Sequence, residues 1–114
     1  MEDISKKTDE LATLLKASSE YREFRESAET VGREPASAVL LAEYRKLRLK
    51  LQAAELSGSA SDDDMDRLQK LGELLQMDPA TSGYLFAEYK LNKLLADIYK
   101  KLAGAVGADL GMID

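Results

Sequence analysis

The densest group of potential metal ligands in this chain is the acidic run at residues 62–66, Asp-Asp-Asp-Met-Asp. Together with Glu73, three of its carboxylates fall at positions 1, 3, 5 and 12 of a calcium-binding loop. Position 6 of such a loop needs a glycine for its sharp turn, and this chain has Arg67 there. Residues 65–77 also have the spacing of an uninterrupted helix, so we interpret the acidic residues as stabilising a helix N-terminus. The pattern predicts no metal site.

A second candidate is a basic cluster in the middle of the chain, which could bind the phosphates of RNA. It consists of Arg45, Lys46, Arg48 and Lys50, and the neighbouring Tyr44 could stack on a base. The four cations spread around a helix instead of lining one side, and the net charge of −5 disfavours nucleic acid as a partner. We keep RNA binding by this cluster as the alternative to a solvent-exposed helix surface.

Few residues are available for catalysis. The chain has no cysteine and no histidine, which removes thiolate nucleophiles, imidazole bases and the commonest ligands of transition metals. Glu43 and Glu88 each precede a tyrosine and could form a carboxylate pair, but carboxylate metal sites in helical bundles use Glu-x-x-His motifs. We therefore expect a protein that is not an enzyme and that binds no cofactor.

The apolar residues recur at helical spacing in five segments, which predicts an all-α fold. Leucine and alanine, both good helix formers, fill most apolar positions. The predicted helices cover residues 4–17, 18–32, 36–56 and 65–77 and the chain from Pro79 onward, with an exposed loop at residues 57–64. No stretch has the roughly 20 apolar residues of a membrane span, and the N-terminal segment lacks the apolar core of a signal peptide. We expect a cytoplasmic protein.

The two longest predicted helices each carry a heptad-like apolar seam, in which spacings of four and three residues alternate. The seam of the third helix consists of Leu40, Tyr44, Leu47, Leu51 and Ala54, and that of the fifth consists of Leu91, Leu95, Ile98, Leu102 and Ala105. We predict that these helices pack as an antiparallel pair beside the shorter N-terminal helices. The apolar face of the fifth helix is wider than one seam, so we predict a homodimer whose interface contains Leu91, Leu95, Ile98 and Leu102.

One domain is expected to span residues 1–109, because a chain of 114 residues has little length for a second core. Three glycines, at positions 104, 107 and 111, interrupt the last helix near its end. Glycine weakens helices, so residues 110–114 are predicted to form a loose tail.

Two motifs near the ends of the chain resemble those of the YlbF/YmcA family of small bacterial helical regulators. Residues 11–24 read Leu-Ala-Thr-Leu-Leu-Lys-Ala-Ser-Ser-Glu-Tyr-Arg-Glu-Phe, and residues 84–89 read Tyr-Leu-Phe-Ala-Glu-Tyr. The residues that carry the second motif are Tyr84, Leu85, Ala87, Glu88 and Tyr89. The resemblance extends through the middle helix and so covers nearly the whole chain.

This resemblance implies an all-α protein that dimerises and acts as a non-enzymatic regulatory adaptor. Relatives with assigned roles act in competence, sporulation and biofilm formation, in complexes with other regulatory proteins, and influence messenger RNA processing by ribonuclease Y. Some relatives bind iron–sulfur clusters through cysteines, a property that this cysteine-free chain cannot share. The leading hypothesis is therefore an adaptor whose partners include family paralogues or the ribonuclease Y machinery, and the alternative is an RNA-binding accessory protein.

Overall fold

The computed structural model describes residues 1–108, and within them the chain forms five α-helices and no strand. The helices are α1 (Glu2–Lys16), α2 (Ser19–Gly32), α3 (Pro35–Ser57), α4 (Asp62–Met77) and α5 (Pro79–Ala105). This confirms the predicted all-α class and the number of helices. In the described part of the chain, no helix combines the length and the apolar character needed to cross a bilayer. The predicted tail at residues 110–114 lies outside the described residues.

Serine side chains fix the start of two helices. The Ser18 hydroxyl accepts a hydrogen bond from the backbone N–H of Tyr21 at 3.2 Å, just before α2. The Ser61 hydroxyl accepts from the N–H of Asp64 at 3.2 Å and caps α4. Such caps satisfy N–H groups that have no partner within the helix. The acidic residues at 62–64 occupy the first turn of α4, where negative charge interacts favourably with the helix dipole.

The predicted loop at residues 57–64 is shorter in the structure, where only residues 58–61 separate α3 from α4. Gly58 ends α3 with a φ of +73°, a left-handed conformation that glycine adopts without strain. The next N–H, that of Ser59, returns to the carbonyl of Ala54 at 2.8 Å. The cap at Ser61 then starts α4 at once, so Asp62, Asp63 and Asp64 lie in its first turn, in agreement with the predicted acidic helix start.

The described chain divides into two compact units, which we call the middle unit (residues 25–85) and the terminal unit (residues 1–24 with the chain from residue 86). In the middle unit α3 packs along α4 around Leu47, Leu51 and Leu71. Other apolar side chains lie partly buried against this cluster: Leu40, Tyr44, Ala60 and Leu68. Full burial of a leucine is worth about 1.5–3 kcal/mol, so the predicted seam of α3 supplies much of the core of this unit.

A hydrogen-bond network holds the junction between α4 and α5 in the middle unit. Asp78 accepts from the Ser37 hydroxyl at 2.6 Å and from the N–H of Thr81 at 3.2 Å, both through Oδ2. The hydrogen bond from Ser37 is the main reason that the pKa of the Asp78 carboxyl lies below its ordinary value. The carboxylate thus caps α5 and ties the start of α3 to the same point.

The Thr81 hydroxyl also provides a hydrogen bond to a backbone carbonyl at this junction. In a continuous helix the carbonyl of Leu75 would accept from the N–H of residue 79, but Pro79 has no N–H. The hydroxyl of Thr81 donates to this carbonyl instead, at 2.7 Å. Both Leu75 and Thr81 are 0% exposed. The hydroxyl therefore satisfies a carbonyl oxygen at a fully buried position.

The terminal unit has far fewer buried side chains than the middle unit. Helix α1 contains no buried residue. Within residues 1–24 and 86–108, Ala87 is the sole buried residue. The proposed single domain over residues 1–109 and the predicted pairing of α3 with α5 concern both units, and they stay predictions.

Candidate protein-association surface

The C-terminal half of α5 carries a stripe of apolar side chains that remain in solvent. Leu95 is 44% exposed, Tyr99 53%, Leu102 57% and Val106 78%. Their spacings of four, three and four residues place Leu95, Tyr99 and Leu102 on one side of α5, and Val106 continues the spacing directly after the helix ends at Ala105. We call these four residues the association stripe, because exposed apolar surface of this regularity is typical of helix–helix interfaces.

The structure separates the four interface residues predicted from sequence into two groups. Leu91 and Ile98 are half-buried, whereas Leu95 and Leu102 are exposed and belong to the association stripe. Tyr99 and Val106 were missing from the predicted set, although their spacing continues the alternation of four and three residues. The role of all these residues in an interface stays a prediction.

The two sides of α5 that border the association stripe differ in character. One border is the half-buried apolar face with Leu91 and Ile98, and the other carries the small residues Ala96 and Ala103, seven positions apart. Small side chains allow two helix axes to approach closely. Farther around α5, the ion pair between Lys93 and Asp97 at 3.4 Å marks a charged face directed to solvent.

Helix α1 adds further apolar surface to the terminal unit. Ile4 and Leu14 are largely exposed, and Leu11 and Leu15 are only half-buried. Helices of this length are marginally stable in water unless an apolar face packs against another element. The terminal unit thus has exposed apolar residues both on α1 and on the C-terminal part of α5, and packing against a partner would stabilise these helices.

The family-motif residues at 84–89 are mainly structural. Tyr84 and Ala87 are buried, Leu85 and Glu88 are half-buried, and Tyr89 is exposed. The Tyr84 hydroxyl accepts a hydrogen bond from Nη2 of Arg45 at 2.7 Å, and the Arg45 guanidinium carbon lies 5.1 Å from the centre of the tyrosine ring. This aromatic–arginine contact lies within the middle unit and connects α3 with the start of α5.

The four basic residues predicted for RNA binding have different surroundings. Arg45 is held by Tyr84, and Arg48 lies over the ring of Tyr44 at 5.7 Å. Lys46 and Lys50 instead face a depression between α3 and α4. The structure thus brings two of the four residues together at one place, and it turns Arg45 toward an internal contact.

The depression that Lys46 and Lys50 line also contains a basic residue from α4. Its volume is about 260 Å³, and its lining consists of Glu43, Lys46, Leu47, Lys50 and Arg67. We call it the basic cleft. Arg67 was absent from the predicted cluster because it lies in a different helix, and no local pattern connects it with α3.

The acidic run that resembled a calcium-binding loop lies in the first turns of α4. Asp64 forms an ion pair with Lys50 of α3 at 3.1 Å. Among residues 1–108, no three potential ligands from the side chains of Asp, Glu, His and Cys cluster in a way that could hold a metal ion. In the acidic run, Asp64 therefore pairs with a lysine of α3, and Asp62, Asp63 and Asp64 lie where negative charge favours a helix start.

The chain is similar in sequence to bacterial proteins of the UPF0342 group. A UPF0342 protein of Symbiobacterium thermophilum is 36% identical over 101 residues, which cover 88% of this chain and 90% of the relative. A UPF0342 protein of Clostridium novyi is 32% identical over 108 residues, or 94% of this chain and 95% of the relative. The similarity extends over nearly the full length of both relatives.

Two solved structures share the fold. A protein of unknown function (DUF964) from Bacillus stearothermophilus has a TM-score of 0.83 at 18% identity, covering 92% of this chain and 93% of that one. RicA of Bacillus subtilis, solved in complex with RicF, has a TM-score of 0.67 at 13% identity, covering 92% and 94%.

A family model described as "Control of competence regulator ComK, YlbF/YmcA" matches residues 4–107 of the chain. The match includes most of α1, the whole middle unit and the association stripe. It also confirms the resemblance seen in the two terminal motifs. The chain therefore belongs to the YlbF/YmcA family.

Proposed function

We propose that this protein is a non-enzymatic regulatory adaptor that forms a homodimer through the association stripe and binds further regulatory proteins. The observation that carries the proposal is the stripe itself, a regular row of exposed apolar residues on a small acidic protein. The absence of cysteine and histidine from the sequence supports a role in binding over one in catalysis.

Energetics favour covering this stripe. Leu95 and Leu102 each keep roughly half of their surface in water. Since full burial of a leucine contributes about 1.5–3 kcal/mol, burying the exposed half contributes about 1 kcal/mol per residue. Both copies of a symmetric dimer gain this contribution, and Tyr99 and Val106 add to it. The exposed residues of α1 would offer a second apolar surface to the same partner.

A second copy is a suitable occupant because a row of residues along one helix can meet its own equivalent in a two-fold dimer. Leucine, tyrosine and valine at spacings of four and three interdigitate with an identical row. Ala96 and Ala103 beside the stripe allow close approach of the two helices. The ion-paired residues Lys93 and Asp97 stay on the solvent side, so dimerisation buries no charge from this pair.

Family membership supports the regulatory part of the proposal. The description of the matching family model names the control of a competence regulator. RicA, which shares the fold, was solved in complex with RicF. By analogy, we propose that this protein acts in the cytoplasm with paralogous regulators or with the ribonuclease Y machinery. The processes affected would then be competence, sporulation or biofilm formation.

The dimer is tested by light scattering after gel filtration at micromolar concentration. The proposal predicts twice the chain mass of 12.6 kDa for the natural protein and a single chain mass for Leu95→Asp, because a carboxylate in an apolar interface is strongly unfavourable. Leu49→Asp is the matched control, since Leu49 is 64% exposed on α3, outside the stripe. A monomeric natural protein, or a dimer that persists in Leu95→Asp, would overturn the proposal.

Circular dichroism distinguishes a lost interface from a lost fold. Leu95→Asp should keep the helical signal of the natural protein, because the side chain already has solvent access. Unfolding by this substitution, with Leu49→Asp unaffected, would show that Leu95 belongs to the core and not to a surface.

The adaptor role is tested by capturing a tagged copy from native cell extract and identifying the bound proteins by mass spectrometry. Paralogous regulators or components of the ribonuclease Y machinery are the expected partners. Recovery of the tagged chain with only its own untagged copies would contradict the adaptor role while leaving the dimer intact.

A further inference from the structure

The basic cleft collects cations from two helices at one point of an acidic protein. Lys46 and Lys50 are one turn apart on α3, and Arg67 faces them from α4. Side chains separated by one helical turn lie about 5–6 Å apart at their Cβ atoms. Two long, flexible ammonium groups and one guanidinium group can therefore reach the same small ligand or two neighbouring groups of a chain.

Two of these three cations have no acidic partner among the residues that the structure describes. Within residues 1–108 neither Lys46 nor Arg67 forms an ion pair, whereas Lys50 is paired with Asp64 at 3.1 Å. Glu43 is the one acidic residue in the described lining of the cleft, and the three cations outnumber it, so the local charge is positive. This local positive charge contrasts with the net charge of −5 on the whole chain.

We propose that the basic cleft binds phosphate groups, a function beyond the adaptor role and carried by residues outside the association stripe. The guanidinium of Arg67 offers paired N–H donors that match phosphate oxygens, and the lysines supply mobile positive charge. The apolar side chain of Leu47 also lines the cleft, which lowers the local dielectric and strengthens attraction to an anion.

The proposal predicts a measurable salt dependence. Three phosphate contacts on single-stranded RNA give a slope of about −2 in the logarithm of the affinity against the logarithm of salt concentration. Raising monovalent salt from about 50 mM to about 200 mM should thus weaken binding about 20-fold. The assay is fluorescence anisotropy with a labelled oligouridylate, whose identical bases isolate the contribution of the backbone.

The variants separate the cleft from general charge. Replacing Lys46, Lys50 and Arg67 together by glutamine should abolish binding. The control replaces Lys6, Lys16 and Arg33 by glutamine, which changes the net charge equally at exposed positions that do not line the cleft. It should weaken binding by much less. Equal losses of affinity in the two triple variants would show that net charge alone accounts for binding, and would overturn the proposal.

A further variant should improve binding. Asp64→Asn breaks the ion pair with Lys50 and frees its ammonium group for the ligand. Removing this competing carboxylate should raise the affinity at low salt, while the salt slope stays at about −2 because Lys50 is already counted among the three phosphate contacts. Unchanged affinity in Asp64→Asn would contradict the assignment of Lys50 to the site.

A second titration, with ATP and with inorganic pyrophosphate and measured by calorimetry, shows whether the phosphate groups belong to RNA or to a small compound. Binding of the oligouridylate alone identifies the RNA backbone as the ligand. Binding of ATP or pyrophosphate that is lost in the triple cleft variant identifies a small phosphate compound. Absence of binding by all three probes at low salt overturns the proposal, whatever the oligomeric state of the protein.

Discussion

Replacing Thr81 with valine tests the junction between α4 and α5 at a single atom. The substitution removes the hydroxyl that donates to the Leu75 carbonyl at 2.7 Å, and it keeps the branched shape of the side chain. Threonine and valine have similar helix propensities, so α5 itself is not disfavoured. The change therefore removes the hydrogen bond that serves the buried Leu75 carbonyl, together with a longer one, at 3.3 Å, from the same hydroxyl to the Asp78 carbonyl.

The expected loss follows from burial. Thr81 is 0% exposed, so water cannot replace the lost donor without opening the junction. A buried acceptor left without a partner costs about 1–3 kcal/mol in unfolding free energy. For a chain of about this size, 1 kcal/mol corresponds to about 4 °C in the melting temperature, so we expect a fall of about 4–12 °C.

The measurement is urea unfolding followed by circular dichroism, with Thr13→Val as the matched control. Thr13 also donates its hydroxyl to a backbone carbonyl, that of Asp9 at 3.1 Å, but on the exposed surface of α1. The Asp9 carbonyl has water available, and it also lies within a regular helix. Thr13→Val should therefore change the free energy of unfolding by less than about 0.5 kcal/mol.

Thr81→Ser keeps the donor and should lose only the contribution of one buried methyl group, about 0.8 kcal/mol. The reasoning is refuted if Thr81→Val is no less stable than Thr13→Val. It is also refuted if Thr81→Ser loses more stability than Thr81→Val, because the methyl group and not the hydroxyl would then hold the junction.

Three further perturbations test other parts of the structure. Leu75→Ala should lower the free energy of unfolding by about 2–5 kcal/mol, since the side chain is 0% exposed; a loss below about 1 kcal/mol in urea unfolding would contradict its place in the core. The pKa of Asp78 is depressed in the fold, so its stabilising contribution is present above the unfolded value of about 3.9 and disappears as pH falls through the lower folded pKa. Asp78→Asn should therefore flatten the acid side of a plot of stability against pH, and a curve merely displaced in parallel would argue against this role. Replacing Leu95 and Leu102 together by alanine should weaken the proposed dimer by about 4 kcal/mol, or about a thousandfold, from about 1 kcal/mol at each of the exposed side chains in two copies; sedimentation equilibrium measures this constant, and Leu49→Ala should leave it unchanged.

The helices were predictable because their signals are local. The seam of α3, with Leu47 and Leu51, has the spacing that buries one face, and those residues are indeed in the core. Ser18 precedes α2 as a predicted cap, and it accepts the expected backbone hydrogen bond. The loop after α3 was predicted too long, because Gly58 and Ser61 each end or start a helix within a single residue.

The candidate sites were harder to predict, because they depend on contacts between distant residues. Leu91 and Leu95 belong to the same predicted seam, yet one is half-buried and the other exposed. An α-helix advances 100° per residue, so two neighbours in a seam can lie on either side of the boundary of the core. Arg67 joins the basic cleft only because α3 and α4 pack together, and Arg45 leaves the predicted cluster because Tyr84 accepts its hydrogen bond.

The lack of buried residues in α1 connects the lifetime of the protein to its concentration. A helix with no buried side chain opens at low free energy in a lone copy, and proteases cut such transiently opened segments. A partner that covers its apolar residues binds only the folded form, and so protects it by mass action. Unassembled copies would then be degraded faster than assembled ones, which would match the amount of this protein to the amount of its partner without any dedicated signal.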